Sequence, residues 1–383
     1  MHQGSAPANR LGITGVDHML LYAGNAHQTA HFYSAAFGFR ILGYSGLETG
    51  HRNQASWVLG HGDATLVVTS GLDADGPAAR HVNRHGDSVK DVAFRVESVE
   101  RAFAEAVRGG ARPVLEPATI EDQYGRFVVA TVGTVGDLVH SFVDRRAYHG
   151  PFVPGYVPKV SRARTRRLAI TAFDHFAVAL TAGTLDAWVD FYRCALGFHE
   201  CHEQRIDTGK TGMRSRVMAG GPAGVVFPLL EPVDGASRSQ VQEFLDFNCG
   251  PGVQHAAIHT TDIIAAVRSL IHMGMEFVHT PDAYYEAVPS RMGRLDEDLA
   301  ALQELRIMVD KDDSGYLFQI FTKSVTGRPT FFIELIQRKG SRGFGAGNVR
   351  ALFEAIEREQ AVRERAAEYG DAPLAQASAG GGA

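Results

Sequence analysis

Cysteine is scarce in this 383-residue chain: Cys194, Cys201 and Cys249 are the whole complement. Three scattered thiols cannot build a disulfide framework or a cysteine-rich zinc site, and they suit a reducing compartment. Nowhere do eighteen apolar residues run together, so no membrane-spanning helix is expected. The opening Met-His-Gln-Gly-Ser-Ala-Pro has no basic stretch leading into an apolar one, and a cytoplasmic protein is the expectation. Charge of one sign is also lacking, since 38 Lys and Arg against 43 Asp and Glu leave a net of -5 with no long basic stripe. That balance argues against nucleic acid and anionic membranes as partners and for small molecules.

What the chain does have is apolar material, 45% of all residues, and internal repetition. Its length exceeds one ordinary core, so two domains or a duplicated one is expected. Gly15-Val16-Asp17-His18, then His31-Phe32-Tyr33 and Phe37-Gly38-Phe39, matches Phe173-Asp174-His175, then Asp190-Phe191-Tyr192 and Leu196-Gly197-Phe198. Phe-Tyr and Gly-Phe recur at the same offset of 159. Each copy reads as a strand, an amphipathic helix, a turn at Gly-Phe and further strands. A second pair, Val89 to Phe94 and Val253 to Ile258, each followed by a helix, recurs at an offset of 164. Four βαβββ-like units, two per half, follow from these repeats.

The expected organisation is a tail over 1–14, an N-terminal domain over 15–146, a linker over 147–170, a C-terminal domain over 171–369 and a disordered tail over 370–383. The linker carries the basic run 162–167, read as an exposed connector, and the tail is rich in Ala and Gly. Within the C-terminal half, Glu334 lies in the apolar strand Thr330-Phe-Phe-Ile-Glu-Leu-Ile336. An ionised carboxylate there is costly unless a cation compensates it; a Glu on a wet strand face is the other reading.

Five motifs sharpen this picture: Phe173-Asp-His175, Gly252-Val-Gln-His255, Gln319-Ile-Phe-Thr-Lys323, Arg328-Pro-Thr-Phe-Phe-Ile-Glu334 and Gly343-Phe-Gly-Ala-Gly-Asn348. Through them the chain, from about Gly15 to Arg363, resembles the 4-hydroxyphenylpyruvate dioxygenase and 4-hydroxymandelate synthase family of the vicinal oxygen chelate superfamily. The resemblance implies an α+β fold, glyoxalase/bleomycin-resistance-like, in which paired βαβββ modules form two half-open barrels. It also implies Fe(II) held by His175, His255 and Glu334, and a homo-oligomer. Two imidazoles and one carboxylate leave adjacent positions open on iron, as a chelating oxo acid and O2 require. In the N-terminal copy His18 matches His175, but Asp91 stands where His255 would be and no Glu matches Glu334. That half is expected to hold no metal, and His259, His272 and His279 get no role.

The resemblance implies catalytic roles for Gln240, Gln254 and Gln319, and substrate contacts from Thr211, Leu230, Gln240, Gln319, Phe321, Phe332, Phe344 and Asn348. Asn348 is also a candidate N-cap of a C-terminal helix that lids the site. Two positions depart from the dioxygenase pattern. Leu230 stands where an amide is usual, and Thr211 is taken as the stand-in for a pocket Ser. The expected reaction takes 4-hydroxyphenylpyruvate and O2 to homogentisate and CO2, as in tyrosine catabolism. The alternatives are benzylic hydroxylation to 4-hydroxymandelate, oxidation of another aromatic 2-oxo acid, or metal-dependent binding without chemistry.

Overall fold

The computed structural model describes residues 9–159, 168–222, 224–233, 235, 237–293 and 295–370. The basic run 162–167 and the tail from 371 therefore lie outside the described residues. In the N-terminal half the order is β1 (Ile13–Tyr22), α1 (Ala26–Phe37), β2 (Arg40–Ser45), β3 (Gln54–His61), β4 (Ala64–Gly71) and α2 (Pro77–His85). It continues with β5 (Ser88–Val96), α3 (Val99–Arg108), β6 (Arg112–Asp122), β7 (Gly125–Gly133), β8 (Val139–Asp144) and β9 (Val157–Pro158). The C-terminal half runs β10 (Ile170–Ala179), α4 (Leu185–Cys194), β11 (His199–Asp207), β12 (Gly212–Gly220), β13 (Val225–Val233), α5 (Gln240–Phe247), β14 (Gly252–Thr260) and α6 (Ile263–His272). It ends with α7 (Asp282–Glu286), α8 (Val288–Met292), α9 (Leu299–Glu304), β15 (Met308–Asp312), β16 (Gly315–Phe321), β17 (Phe332–Lys339) and α10 (Ala346–Gly370).

Four βαβββ modules are present, two in each sheet. Strand order is β6-β7-β8-β5-β1-β4-β3-β2-β9 in one and β11-β12-β13-β10-β14-β17-β16-β15 in the other. The Gly-Phe signal is explained by backbone geometry. Gly38 and Gly197 close α1 and follow α4 with φ of 71° and 68°, left-handed values that a residue with a Cβ adopts only under strain. Phe37, Phe39, Tyr192 and Phe198 beside these turns are fully buried. The convex sides of the sheets share one core: Phe94 packs on Phe198 and Phe227, and the His140 ring reaches the Tyr192 hydroxyl at 3.1 Å.

The concave faces are closed differently. In the N-terminal half the segment after β8, read from sequence as the start of a linker, folds back into the barrel. Tyr148 and Phe152 are buried, Tyr156 packs beside Phe152, and β9 adds to the edge at β2. Ordered packing also begins before residue 15, since Leu11 is buried and β1 starts at Ile13. In the C-terminal half the concave face is covered by α10, whose Leu352, Phe353 and Ala355 are buried against it. No helix among the described residues is long and apolar enough to cross a membrane.

Candidate metal centre

Three central strands of the second sheet carry the three ligand candidates. β10 and β14 pair antiparallel with His255 opposite Ala177, while β14 and β17 run parallel with Glu334 opposite Ala257. The pleat then turns His175, His255 and Glu334 to the same concave side. His175 Nε2 lies 3.1 Å and His255 Nε2 3.5 Å from Glu334 Oε2. All three side chains are buried, and among the described residues they form the one grouping of this kind. The expectation that Glu334 is buried rather than wet holds, at 1% exposure.

Each ligand is held from behind. Asp174 accepts from His175 Nδ1 at 2.8 Å and in turn takes two bonds from the Arg338 guanidinium, both 2.8 Å. This fixes the ring so that Nε2 faces Glu334. Burial would raise the Asp174 carboxyl, but Arg338 and His175 hold it well below the usual carboxylate range. His255 Nδ1 is buried without a hydrogen-bond partner; its ring is set by stacking on Phe332 at 4.9 Å and by the edge of Phe321. Glu334 Oε1 accepts from Gln319 Nε2 at 2.8 Å, Gln319 Oε1 accepts from Asn348 Nδ2 at 2.9 Å, and Asn348 Oδ1 lies 2.6 Å from the Tyr284 hydroxyl. A relay of side chains thus ties α7 and the base of α10 to a ligand carboxylate.

The donor set fits a divalent metal. Burial pushes the His175 imidazole down, but Glu334 and Asp174 beside it win and hold it up at about 9. Burial, aided by the charge on His175, keeps His255 well below the ordinary imidazole range. One carboxylate therefore faces two buried imidazoles, of which only one takes a proton. A cation at their meeting point satisfies all three donors at once, and a set of two His and one carboxylate on one side leaves coordination sites open.

The candidate substrate residues separate into groups. Gln240, Gln254, Gln319, Phe321, Phe344 and Leu230 line the cavity that contains the three ligands. Gln240 and Gln254 have no protein hydrogen-bond partner among the described residues, whereas both ends of the Gln319 amide are committed to the relay. Phe332 faces a separate outer cleft that shares only Gln240 and Gln254 with the inner cavity. Asn348 sits in the first turn of α10, which starts at Ala346, so it is not the N-cap; its amide is turned to Gln319 and Tyr284 rather than to the cavity. Gly345 before it, at φ 66°, lies so close that a Cβ would meet Gln319 Oε1 at 2.3 Å.

Thr211 lies away from the cavity. Its hydroxyl hydrogen-bonds Glu357 of α10, at the end of the barrel, and does not reach the cavity. The cavity serine is Ser215, four residues on, within β12 and directly opposite Leu230. Thr211 lies just before β12 begins at Gly212, whereas Ser215 lies within the strand and turns into the cavity. Asp174, Arg338, Tyr284, His202 and Gln204 were also missed. For the first two a signal existed, because the N-terminal half repeats the trio: His18 Nδ1 bonds Asp17 at 2.7 Å, and Asp17 takes Arg145 Nε at 2.7 Å. There the ring of Phe152 meets His18 edge-on, and the positions of His255 and Glu334 are taken by Asp91 and Ser141, which hydrogen-bond each other.

Sequence comparison adds the lineage. Residues 8–153 match the family model "Hydroxyphenylpyruvate dioxygenase, HPPD, N-terminal", and residues 172–320 match "Glyoxalase/Bleomycin resistance protein/Dioxygenase superfamily". A 4-hydroxyphenylpyruvate dioxygenase of Coccidioides posadasii is 40% identical over 94% of this chain and 96% of its own. The chain belongs to the 4-hydroxyphenylpyruvate dioxygenase family. Another member, from Dictyostelium discoideum, is 41% identical over 92% of this chain and 99% of its own. Among solved structures, a mutant of 4-hydroxymandelate synthase from Streptomyces coelicolor superposes with a TM-score of 0.83 at 35% identity, covering 91% of this chain and 99% of that one. Membership of this family makes the chain an enzyme of the vicinal oxygen chelate fold, as expected from the motifs.

Proposed function

We propose that this chain is an Fe(II) dioxygenase converting 4-hydroxyphenylpyruvate and O2 to homogentisate and CO2. The observation that carries the reading is the convergence of His175, His255 and Glu334 inside a cavity beneath α10 whose exposed surface is largely apolar. His175, His255 and Glu334 would hold iron there, and the ion would supply Lewis acidity toward the oxo acid and redox chemistry toward O2. The chain's own residues do the rest. Asp174 and Arg338 keep the His175 lone pair aimed inward, and Gln319 holds Glu334 in place. Gln240 and Gln254, with unsatisfied amides on the cavity wall, suit the oxygens of the 2-oxo acid tail. Phe321 and Phe344 supply apolar faces for the ring.

The inner cavity measures about 50 Å³. A water needs about 10–15 Å³ by this measure, so only a few fit. An aromatic oxo acid enters when the α10 side chains Val349, Leu352 and Phe353 give way, and their return excludes water from the reaction. One observation favours the second reading, benzylic hydroxylation to 4-hydroxymandelate: Leu230 can neither donate nor accept beside the ring. Oxygen uptake on adding 4-hydroxyphenylpyruvate to the Fe(II)-loaded protein, with product identified by chromatography and mass, tests the proposal. Homogentisate supports it, 4-hydroxymandelate supports the second reading, and binding without oxygen uptake refutes both. The reading carries with it a cytoplasmic homo-oligomer, whose assembly light scattering measures.

A further inference from the structure

Strand β11 forms the edge of the catalytic sheet, three strands from the nearest metal ligand on β10. Its side chains alternate, with Glu203 and Arg205 exposed and His202 and Gln204 half-buried on the inner face. Both inner residues line the same cavity as the three ligands. Gln204 stands opposite Ser215 on β12, and Ser215 stands opposite Leu230 on β13, so a short row of polar groups ends at the leucine. The imidazole of His202 contacts the ring of Phe344 at 6.3 Å between centroids, and Phe344 contacts His175 at 5.7 Å. His202 is thus two ring-to-ring steps from a ligand.

Among the described residues no protein group hydrogen-bonds the His202 ring nitrogens. Beyond Gln204 and Ser215, the far wall around it is apolar, made by Val217, Pro228, Leu230 and the lid residues. An imidazole placed there gains a partner only from water or from what the cavity binds, and a closed lid removes most of the water. We propose that His202, with Gln204 and Ser215 beside it, recognises the polar group at the far end of the substrate ring, making it a specificity-determining residue for ring-hydroxylated aromatic 2-oxo acids. The proposal rests on the dioxygenase reading above. It assigns to β11 the discrimination that Leu230 cannot perform, because a site that hydrogen-bonds a substrate hydroxyl disfavours the analogue lacking it.

The test compares 4-hydroxyphenylpyruvate with phenylpyruvate on the Fe(II)-loaded protein, by calorimetric binding without oxygen and by oxygen uptake. Wild type should bind the hydroxylated acid more tightly. His202→Ala should weaken that acid by roughly 5-fold, the worth of one neutral hydrogen bond, and shift phenylpyruvate by less than about twofold. His202→Gln, which keeps a donor and an acceptor, should restore most of the preference. His202→Phe, which refills the space without hydrogen bonding, should behave as Ala does and serves if Ala loosens the lid. Equal losses for both acids, or none for either, overturn the proposal while leaving the dioxygenase reading intact. If wild type neither binds nor consumes oxygen with either acid, that reading fails and the assignment of His202 falls with it.

Discussion

Replacing Asn348 by Leu tests whether the base of the lid helix holds a metal ligand in place. Asn348 is fully buried, and its amide donates to Gln319 Oε1 at 2.9 Å while Gln319 donates to Glu334 Oε1 at 2.8 Å. Leucine fills nearly the same space, so packing changes little. Tyr284 keeps its bonds to the Val309 backbone, at 2.7 and 2.8 Å. The orphaned group is Gln319 Oε1, a buried acceptor whose loss of a partner costs about 1–3 kcal/mol. A Gln319 amide without this anchor is free to turn, and Glu334 then loses the donor that orients it. Loss of such an outer partner lowers metal affinity by about 10- to 100-fold. The assay is Fe(II) titration against a competing chelator, with the urea midpoint measured on the same samples. A lower midpoint with iron affinity within twofold of wild type would show that the relay stabilises the lid without holding Glu334, and would refute the reasoning.

The remaining expectations are simpler. Glu334→Ala should empty the centre of iron and of activity while far-ultraviolet circular dichroism stays that of the wild type; full iron content in this variant would remove Glu334 from the ligand set. His18→Ala should leave iron at one per chain by elemental analysis, because Asp91 and Ser141 occupy the co-ligand positions and are bonded to each other; two irons in wild type would overturn this. Leu230→Asn should move the product ratio toward homogentisate if an amide opposite Ser215 directs attack on the ring, and unchanged ratios by mass spectrometry would show that Leu230 does not set the position of oxidation.

Much of the architecture was legible because duplication writes itself into sequence. Glycines at the helix ends and Phe-Tyr pairs facing the shared core recur at fixed spacing, since each module must close its helix and bury it in the same way. The candidate ligand set was legible too, because a carboxylate inside an apolar strand is costly without a compensating cation and the family motifs pointed to two imidazoles. Other features are distances between segments far apart in the chain, and no local pattern encodes them. Thr211 just before β12 and Ser215 within it are four residues apart, and only the tertiary packing decides that Ser215 lines the cavity while Thr211 meets Glu357. Asn348 sits where a cap is plausible, yet the approach of β16 turns its amide to Gln319. Tyr148 to Tyr156 reads as a connector by composition, but an empty concave face beside it makes burying its aromatic rings favourable. The sequence by itself determined the repeat and the fold, and its resemblance to the family singled out the three ligand candidates that the structure brings together. Tertiary structure alone decided which polar side chains face the cavity and which face each other, because that follows from where the seventeen strands among the described residues and the lid helix come to lie.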